Sequence, residues 1–323
     1  NNIRSNNIAA LTRLQELQNS DGAWSWFKGM NGSRYVTAYI AELNARLALL
    51  TGAPLSGTAL DLQAKALTYL HQSALEEYKN ILKAQKKGVK QTGVSSGILQ
   101  YLYIVAISGE QVPAASKIAY AYYLSKVGEL LTSSSMETKA IAAIVLDKAG
   151  RKKEAQEFVA SLKEHLTKTD EQGMFFAFNE NPYAWGGMKL QAHVDVMEAL
   201  ELIGGNGNRE TVEEMKLWLL KQKQTQQWNS PVATADAVYA LLMKGVNLLD
   251  NQGDVRIVIA DEVLETVSPS KTTVPGLGYI KRSFTQKNVV DARKIEVEKR
   301  NPGIAWGAVY AEYESPVSYT HLT

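Results

Sequence analysis

The chain of 323 residues has no cysteine. That absence removes disulfides, thiolate-held zinc, haem attachment and any thiol nucleophile. It leaves the compartment open, because a disulfide-free chain is at home in cytosol or periplasm. Histidine is scarce as well: His71, His165, His193 and His321 lie far apart, without metal-ligand spacing. Neither sign of charge dominates, with 35 Lys and Arg against 33 Asp and Glu, so the basic excess of a nucleic-acid binder is missing. No apolar run approaches the ~20 residues that span a bilayer. The N-terminal Asn1-Asn2-Ile3-Arg4 has no initiator Met and no signal-peptide core, and reads as the cut edge of a fragment. No catalytic, cofactor-binding or metal-binding residue is assigned, and no cofactor is expected.

What is present is ordinary for a globular protein, 45% hydrophobic and 21% charged residues, and to about residue 250 its dominant period is helical. Ile8, Leu11, Leu14 and Leu17 fall about one per turn on one face, and Asn19-Ser20-Asp21-Gly22 ends that helix with turn chemistry. A second helix runs from Tyr35 to Leu50 and stops at Thr51-Gly52-Ala53-Pro54. Thr58 to Lys87 holds one long helix or two shorter ones, and further helices are expected over Ser96–Ile107, Ala114–Leu131, Ser135–Ala149, Lys152–Leu166, Leu190–Ile203, Arg209–Lys223 and Ala233–Met243. Ala149-Gly150, Ile203-Gly204 and Lys244-Gly245 each put Gly at a left-handed C-cap. The Leu190 and Ala233 helices superpose, pairing Asp195 with Asp236, Ala199 with Ala240 and Leu200 with Leu241.

After Asn251 the pattern changes. Val255-Arg256-Ile257-Val258-Ile259 is a β-branched run, Lys294 to Glu298 alternates with period two, and Ile304 to Tyr313 is aromatic and β-rich. The expected organisation is mostly α: an α/α toroid of helical hairpins over residues 1–250, then a smaller antiparallel, sandwich-like β-domain over 252–316. The last residues, 317–323, continue no pattern and read as a disordered or non-native tail.

A glutamine twice stands six residues ahead of a tryptophan, Gln18 before Trp24 and Gln222 before Trp228, each followed by a small-residue helix. Recurring units of this kind mark helical-hairpin arrays, whose neighbours must stack to bury their apolar faces. The segments Leu17-Gln18-Asn19-Ser20-Asp21-Gly22-Ala23-Trp24-Ser25-Trp26-Phe27, Ser33 to Tyr39 and Trp228 to Leu242 resemble the thioester domain of the α2-macroglobulin and complement family, particularly its bacterial members. The resemblance implies a toroid of about six hairpins followed by a β-domain. About ten helices are read here, so a hairpin is expected to be missing at the N-terminus. It also implies a non-enzymatic protease inhibitor or trap in an exported, envelope-facing parent, periplasmic or extracellular, whose partners are proteases and its own flanking β-domains. The family's Cys-x-Glu-Gln thioester motif is absent. Capture by this chain is therefore expected to be non-covalent, unless such a motif lies upstream.

The candidate residues for chemistry have plainer readings. Asp195 and Asp236 suggest an acid–base pair, or first-turn carboxylates facing the helix macrodipole; the second reading predicts local bonding, ordinary pKa values and no shared cavity. His193 and Asp195, two apart on a helix, face different directions. Trp24, Trp26, Trp185 and Trp228 read as core or rim packing rather than a ligand wall. Gly186-Gly187 and Gly204-Gly205-Asn206-Gly207 read as turns, and Lys83, Lys86, Lys87 and Lys90 as a solvated helix end. A toroid enzyme acting on glycans or isoprenoids is the alternative function; the sequence has neither the Asp-x-Asp-Asp run of terpene cyclases nor a zinc site.

Overall fold

The computed structural model describes residues 2–89, 94–133, 135–170, 172–176, 186–205, 207–225, 231–243, 255–259, 262–265, 273–274, 279–280 and 295–300. The chain divides into two compact units, Asn1–Gly245 and Val246–Thr323. The first is helical: α1 (Asn2–Leu17), α2 (Arg34–Thr51), α3 (Gly57–Lys86), α4 (Ser96–Ser108), α5 (Lys117–Lys126), α6 (Met136–Lys148), α7 (Lys152–Lys163), α8 (Gly186–Ile203), α9 (Asn208–Thr225) and α10 (Pro231–Leu242). None of the described helices is long and apolar enough to cross a membrane.

Local chemistry explains the boundaries. The Ser33, Ser95 and Ser135 side chains each accept a backbone N–H at the start of α2, α4 and α6, which satisfies a donor that the helix leaves unpaired. Gly150 and Gly204 take the expected left-handed conformation (φ 80° and 68°), whereas Gly245 lies outside the described residues. The stretch from Thr58 to Lys87 is one helix, α3, with no Gly or Pro in its interior to break it.

Burial sorts the helices into two kinds. Helix α7 buries Ala155, Phe158, Val159 and Leu162, one amphipathic stripe. Helix α4 buries Ile98, Leu99, Tyr101, Leu102, Tyr103, Ile104 and Val105, all round its axis. The even-numbered helices pack in succession, α2 on α4, α4 on α6, α6 on α8 and α8 on α10, and α10 comes back to touch α2. The odd-numbered helices cover them: α3 lies on α2 and α4, α7 on α6 and α8, α9 on α8 and α10. Ala38, Ala41, Ala45, Ala140, Ala143 and Ala199 line the even helices at no more than 2% exposure, so backbones approach closely there.

Three expectations need correction. The single helix over Ala114–Leu131 is a 3-10 turn (Ala114–Ser116), α5 and a second 3-10 turn (Val127–Thr132). The helix expected to reach Leu166 ends at Lys163, and β1 (Leu166–Thr169) pairs antiparallel with β2 (Gly173–Phe176) inside the helical unit. Two four-residue strands are too short for period two to declare itself. Gly173 fixes this hairpin: φ is 71°, and a Cβ would stand 2.3 Å from the Glu214 carbonyl oxygen of α9. Gly186-Gly187 are not a turn but the first residues of α8.

In the second unit β3 (Val255–Ile259) pairs antiparallel with β4 (Glu262–Glu265) and with β7 (Ile295–Lys299), while β5 (Thr273–Val274) pairs with β6 (Tyr279–Ile280). The register sets Ile257 opposite Val297 and Arg256 opposite Glu298. Apolar pairs thus share one face and a charge pair the other. The expected aromatic strand over Ile304–Tyr313 and the tail over 317–323 lie outside the described residues.

Candidate functional site

Helix α2 carries Glu42 and Arg46 one turn apart, among Ala38, Ala41 and Ala45. A charged pair inside a small-residue helix must find partners or leave the core. Arg46 finds them on three other helices. Its Nη2 donates to Asp195 Oδ1 and Glu198 Oε2 of α8, both at 2.8 Å. Its Nη1 meets Glu42 Oε1 at 2.7 Å and donates to Asp236 Oδ1 of α10 at 3.2 Å. Its Nε donates to the Tyr103 hydroxyl of α4 at 3.0 Å. All three guanidinium nitrogens are engaged, and the cation lies 5.6 Å from the Tyr103 ring centre and 5.0 Å from that of Tyr239.

A second layer completes the hub. Glu198 accepts the hydroxyls of Tyr103 (2.6 Å) and Tyr239 (2.8 Å) as well as Arg46, the acceptor pattern of a charged carboxylate. Gln100 of α4 donates to Glu42, and Gln191 of α8 to Asp195. Arg46, Asp195, Glu198 and Asp236 are at most 1% exposed. Half-buried Glu137 of α6 adds a further carboxylate whose pKa burial, then Glu42, raises.

One guanidinium faces four carboxylates. Burial, opposed by Arg46 and reinforced by the neighbouring acids, pushes the Asp236 carboxyl up to about 6 and Asp195 well above the usual carboxylate range. Burial would lower the pKa of Arg46, but Glu198, Glu42, Tyr103 and Asp195 hold it well above its ordinary value. Oδ2 of Asp195 and Oδ2 of Asp236 are buried with no hydrogen-bond partner.

The plain reading of the two aspartates is therefore corrected. Asp195 sits in the middle of α8 and Asp236 in the second turn of α10, so neither is a first-turn carboxylate. Both bond the same Arg46 across the fold, Asp195 keeping one local bond from Gln191 as well, and both have raised pKa values. Each is only 1% exposed. A cleft of about 270 Å³ is bordered by Gln15, Gln18, Asn19, Asp21, Lys65 and Thr68, and none of the hub residues lines it.

The other singled-out residues fall elsewhere. His193 is fully buried, its Nε2 bonded to the Met215 carbonyl and its ring 4.3 Å from that of Trp218; burial pushes its pKa down to about 4. His71 bonds the Tyr101 hydroxyl. Trp24 is 2% exposed, with Nε1 donating to the Leu14 carbonyl. Trp26 stands apart from that reading, 63% exposed and stacked on Tyr35. Lys83, Lys86 and Lys87 are exposed near the end of α3. Trp185, Trp228, His321, Lys90 and Gly245 lie outside the described residues. Among the described residues no group of three or more His, Cys, Asp or Glu is arranged to hold a metal ion.

Sequence reasoning singled out Asp195 and Asp236 but missed Arg46, Glu42, Glu198 and the two tyrosines. The signal was there: Glu42 and Arg46 at i, i+4, and Asp195 and Glu198 at i, i+3, are charges on faces otherwise lined by Ala, Val and Leu. No family model matches the chain, and no curated protein is significantly similar to it.

Proposed function

We propose that the helical unit is an α/α toroid and serves as the protease-interaction module of an α2-macroglobulin-like protein, without catalytic chemistry of its own. The observation that carries this reading is the closure of α2, α4, α6, α8 and α10 on one another around a buried polar hub. A substrate site needs a concave, accessible chamber, and here the converging acids are spent on Arg46. The partners are proteases and the flanking β-domains of an exported, envelope-facing parent, periplasmic or extracellular. Capture by this chain is physical, because an acyl-transfer trap needs a nucleophilic acyl carrier and the chain has no cysteine.

The test is to incubate the full-length protein with an endopeptidase and follow two substrates. Cleavage of a large protein substrate slows while a small chromogenic peptide is still turned over, the pattern of an enclosed but uninhibited protease. Equal cleavage of both with and without the protein refutes the proposal. Release of sugar from an oligosaccharide, lost in Asp195→Asn, would move the reading to the glycan hydrolase.

A further inference from the structure

The hub places four carboxylates on one guanidinium, all five side chains no more than 8% exposed. A buried charge without a counter-charge is not tolerated; the group takes up a proton instead. The two buried oxygens without partners, Oδ2 of Asp195 and of Asp236, show where the carboxylates outnumber the donors. We propose that the Arg46 hub is a proton-dependent seam, in which protons held by Asp195 and Asp236 keep α8 and α10 against α2, and whose loss as pH rises loosens that junction.

The groups facing Asp236 come from every neighbouring helix. Helix α2 presents Tyr39, Glu42 and Arg46; α8 presents Asp195 and Glu198. Helix α9 sends Lys216, paired with Glu213, only to the Met243 carbonyl beyond the end of α10. Tyr239 of α10 and Tyr103 of α4 give their protons to Glu198, so they supply nothing to the aspartates. Arg46 is thus the one cation of the seam among the described residues. Of its carboxylate contacts, the 3.2 Å one to Asp236 is the longest, and it joins the last helix of the unit to α2.

The sign follows from linkage. A carboxyl whose folded pKa is raised binds more protons folded than unfolded, so the stability it confers is present at low pH and lost as pH rises. For Asp236 the window runs from the ordinary carboxyl range to about 6; for Asp195 it continues upward. His193 and His71, held neutral by burial, titrate in the opposite sense, destabilising as pH falls. The raw melting profile therefore mixes both, and a difference between variants isolates the seam.

The experiment is to measure the folding equilibrium of the wild type, Asp236→Asn and Asp195→Asn from pH 4 to 8.5. Asparagine copies the protonated aspartate in shape and neutrality. Relative to wild type, Asp236→Asn gains about tenfold in the folding constant per pH unit across its window and then levels; Asp195→Asn goes on gaining above it. A flat ratio, or an asparagine variant whose disadvantage is undiminished at pH 8, shows that Arg46 needs both aspartates ionised and overturns the proposal. Should either variant fail to fold, infrared spectra of the wild type in heavy water at pH 7 decide. A carboxylic-acid carbonyl band that persists there, and persists in Glu137→Gln, supports the seam through Asp195; its absence refutes it.

Discussion

The loop around Trp24 and the hub around Arg46 both hold polar atoms away from water, one mainly with neutral groups close in sequence, the other with charges far apart in it. In the loop, Gln18 Nε2 donates to the Gly22 and Leu62 carbonyls, Trp24 N to Thr37 Oγ1, and Ser33 N to the Trp24 carbonyl. Most of these partners lie within about a dozen positions, and none carries charge. In the hub, the bonds of Arg46 to Tyr103, Asp195 and Asp236 bridge 57, 149 and 190 positions. Losing one neutral bond costs about 1 kcal/mol, whereas removing one member of a buried ionic set strands the others. The loop should therefore fail by degrees and the hub all at once.

Arg46→Met breaks the comparison hardest. The change removes the cation and keeps most of the side-chain volume, so its cost is electrostatic: about 5 kcal/mol, the largest expected here. Its pH dependence identifies the cause. The loss should be worst above pH 7, where the carboxyls are pressed to ionise without a partner, and smaller near pH 5, where Asp236, already raised to about 6, is protonated. Arg46→Lys should rescue little, since one ammonium cannot reach the acceptors that three nitrogens now serve. Chemical denaturation at the two pH values measures both effects.

Trp24→Ala should come next, at about 3–5 kcal/mol, because a fully packed indole and its bond to the Leu14 carbonyl are removed together. Unlike the hub variant it should show no added pH dependence, since the bond lost with the indole, to the Leu14 carbonyl, joins neutral groups. A Trp24 variant as pH-sensitive as Arg46→Met would show that the two regions are coupled. Gly22→Ala should follow at about 2 kcal/mol: its φ is 88°, and a Cβ would stand 2.3 Å from the Lys65 carbonyl oxygen of α3.

The same contrast in range explains what the sequence disclosed. Most helix positions, the glycine C-caps at Gly150 and Gly204 and the Gln18–Trp24 turn follow from neighbours a few residues apart, and they were legible. The exchange of helix for the β1–β2 hairpin was not, because Gly173 is fixed by Glu214, some forty residues on in another helix. The hub was half-legible. Repeat equivalence brought out Asp195 and Asp236, since corresponding positions of α8 and α10 point to the same interior. Their common partner Arg46 has no repeat counterpart among them, and local reasoning assigned the aspartates to the helix dipole instead. A rule that asked each charge on an Ala-rich helix face for its counter-charge would have recovered Arg46 with Glu42, Asp195 and Glu198.

Trp26 sharpens the comparison at its weakest end. It lies two residues from Trp24 yet is 63% exposed, with its ring centre 5.8 Å from that of Tyr35 and the planes 11° apart. Tyr35 is itself 63% exposed, so the stacked pair buries little area and closes no polar group away from water. Surface substitutions outside caps and strained turns stay within about 0.5 kcal/mol, and Trp26→Ala should do the same at any pH. The loop's bonds from Asn19 Nδ2 to Ser25 Oγ and from Ser25 Oγ to the Met30 carbonyl do not involve its ring. A thermal melt of Trp26→Ala beside Trp24→Ala checks this directly. A loss comparable to that of Trp24 would mean that the exposed aromatics brace the loop from outside, and that its stability does not reside in the buried indole and its neutral bonds.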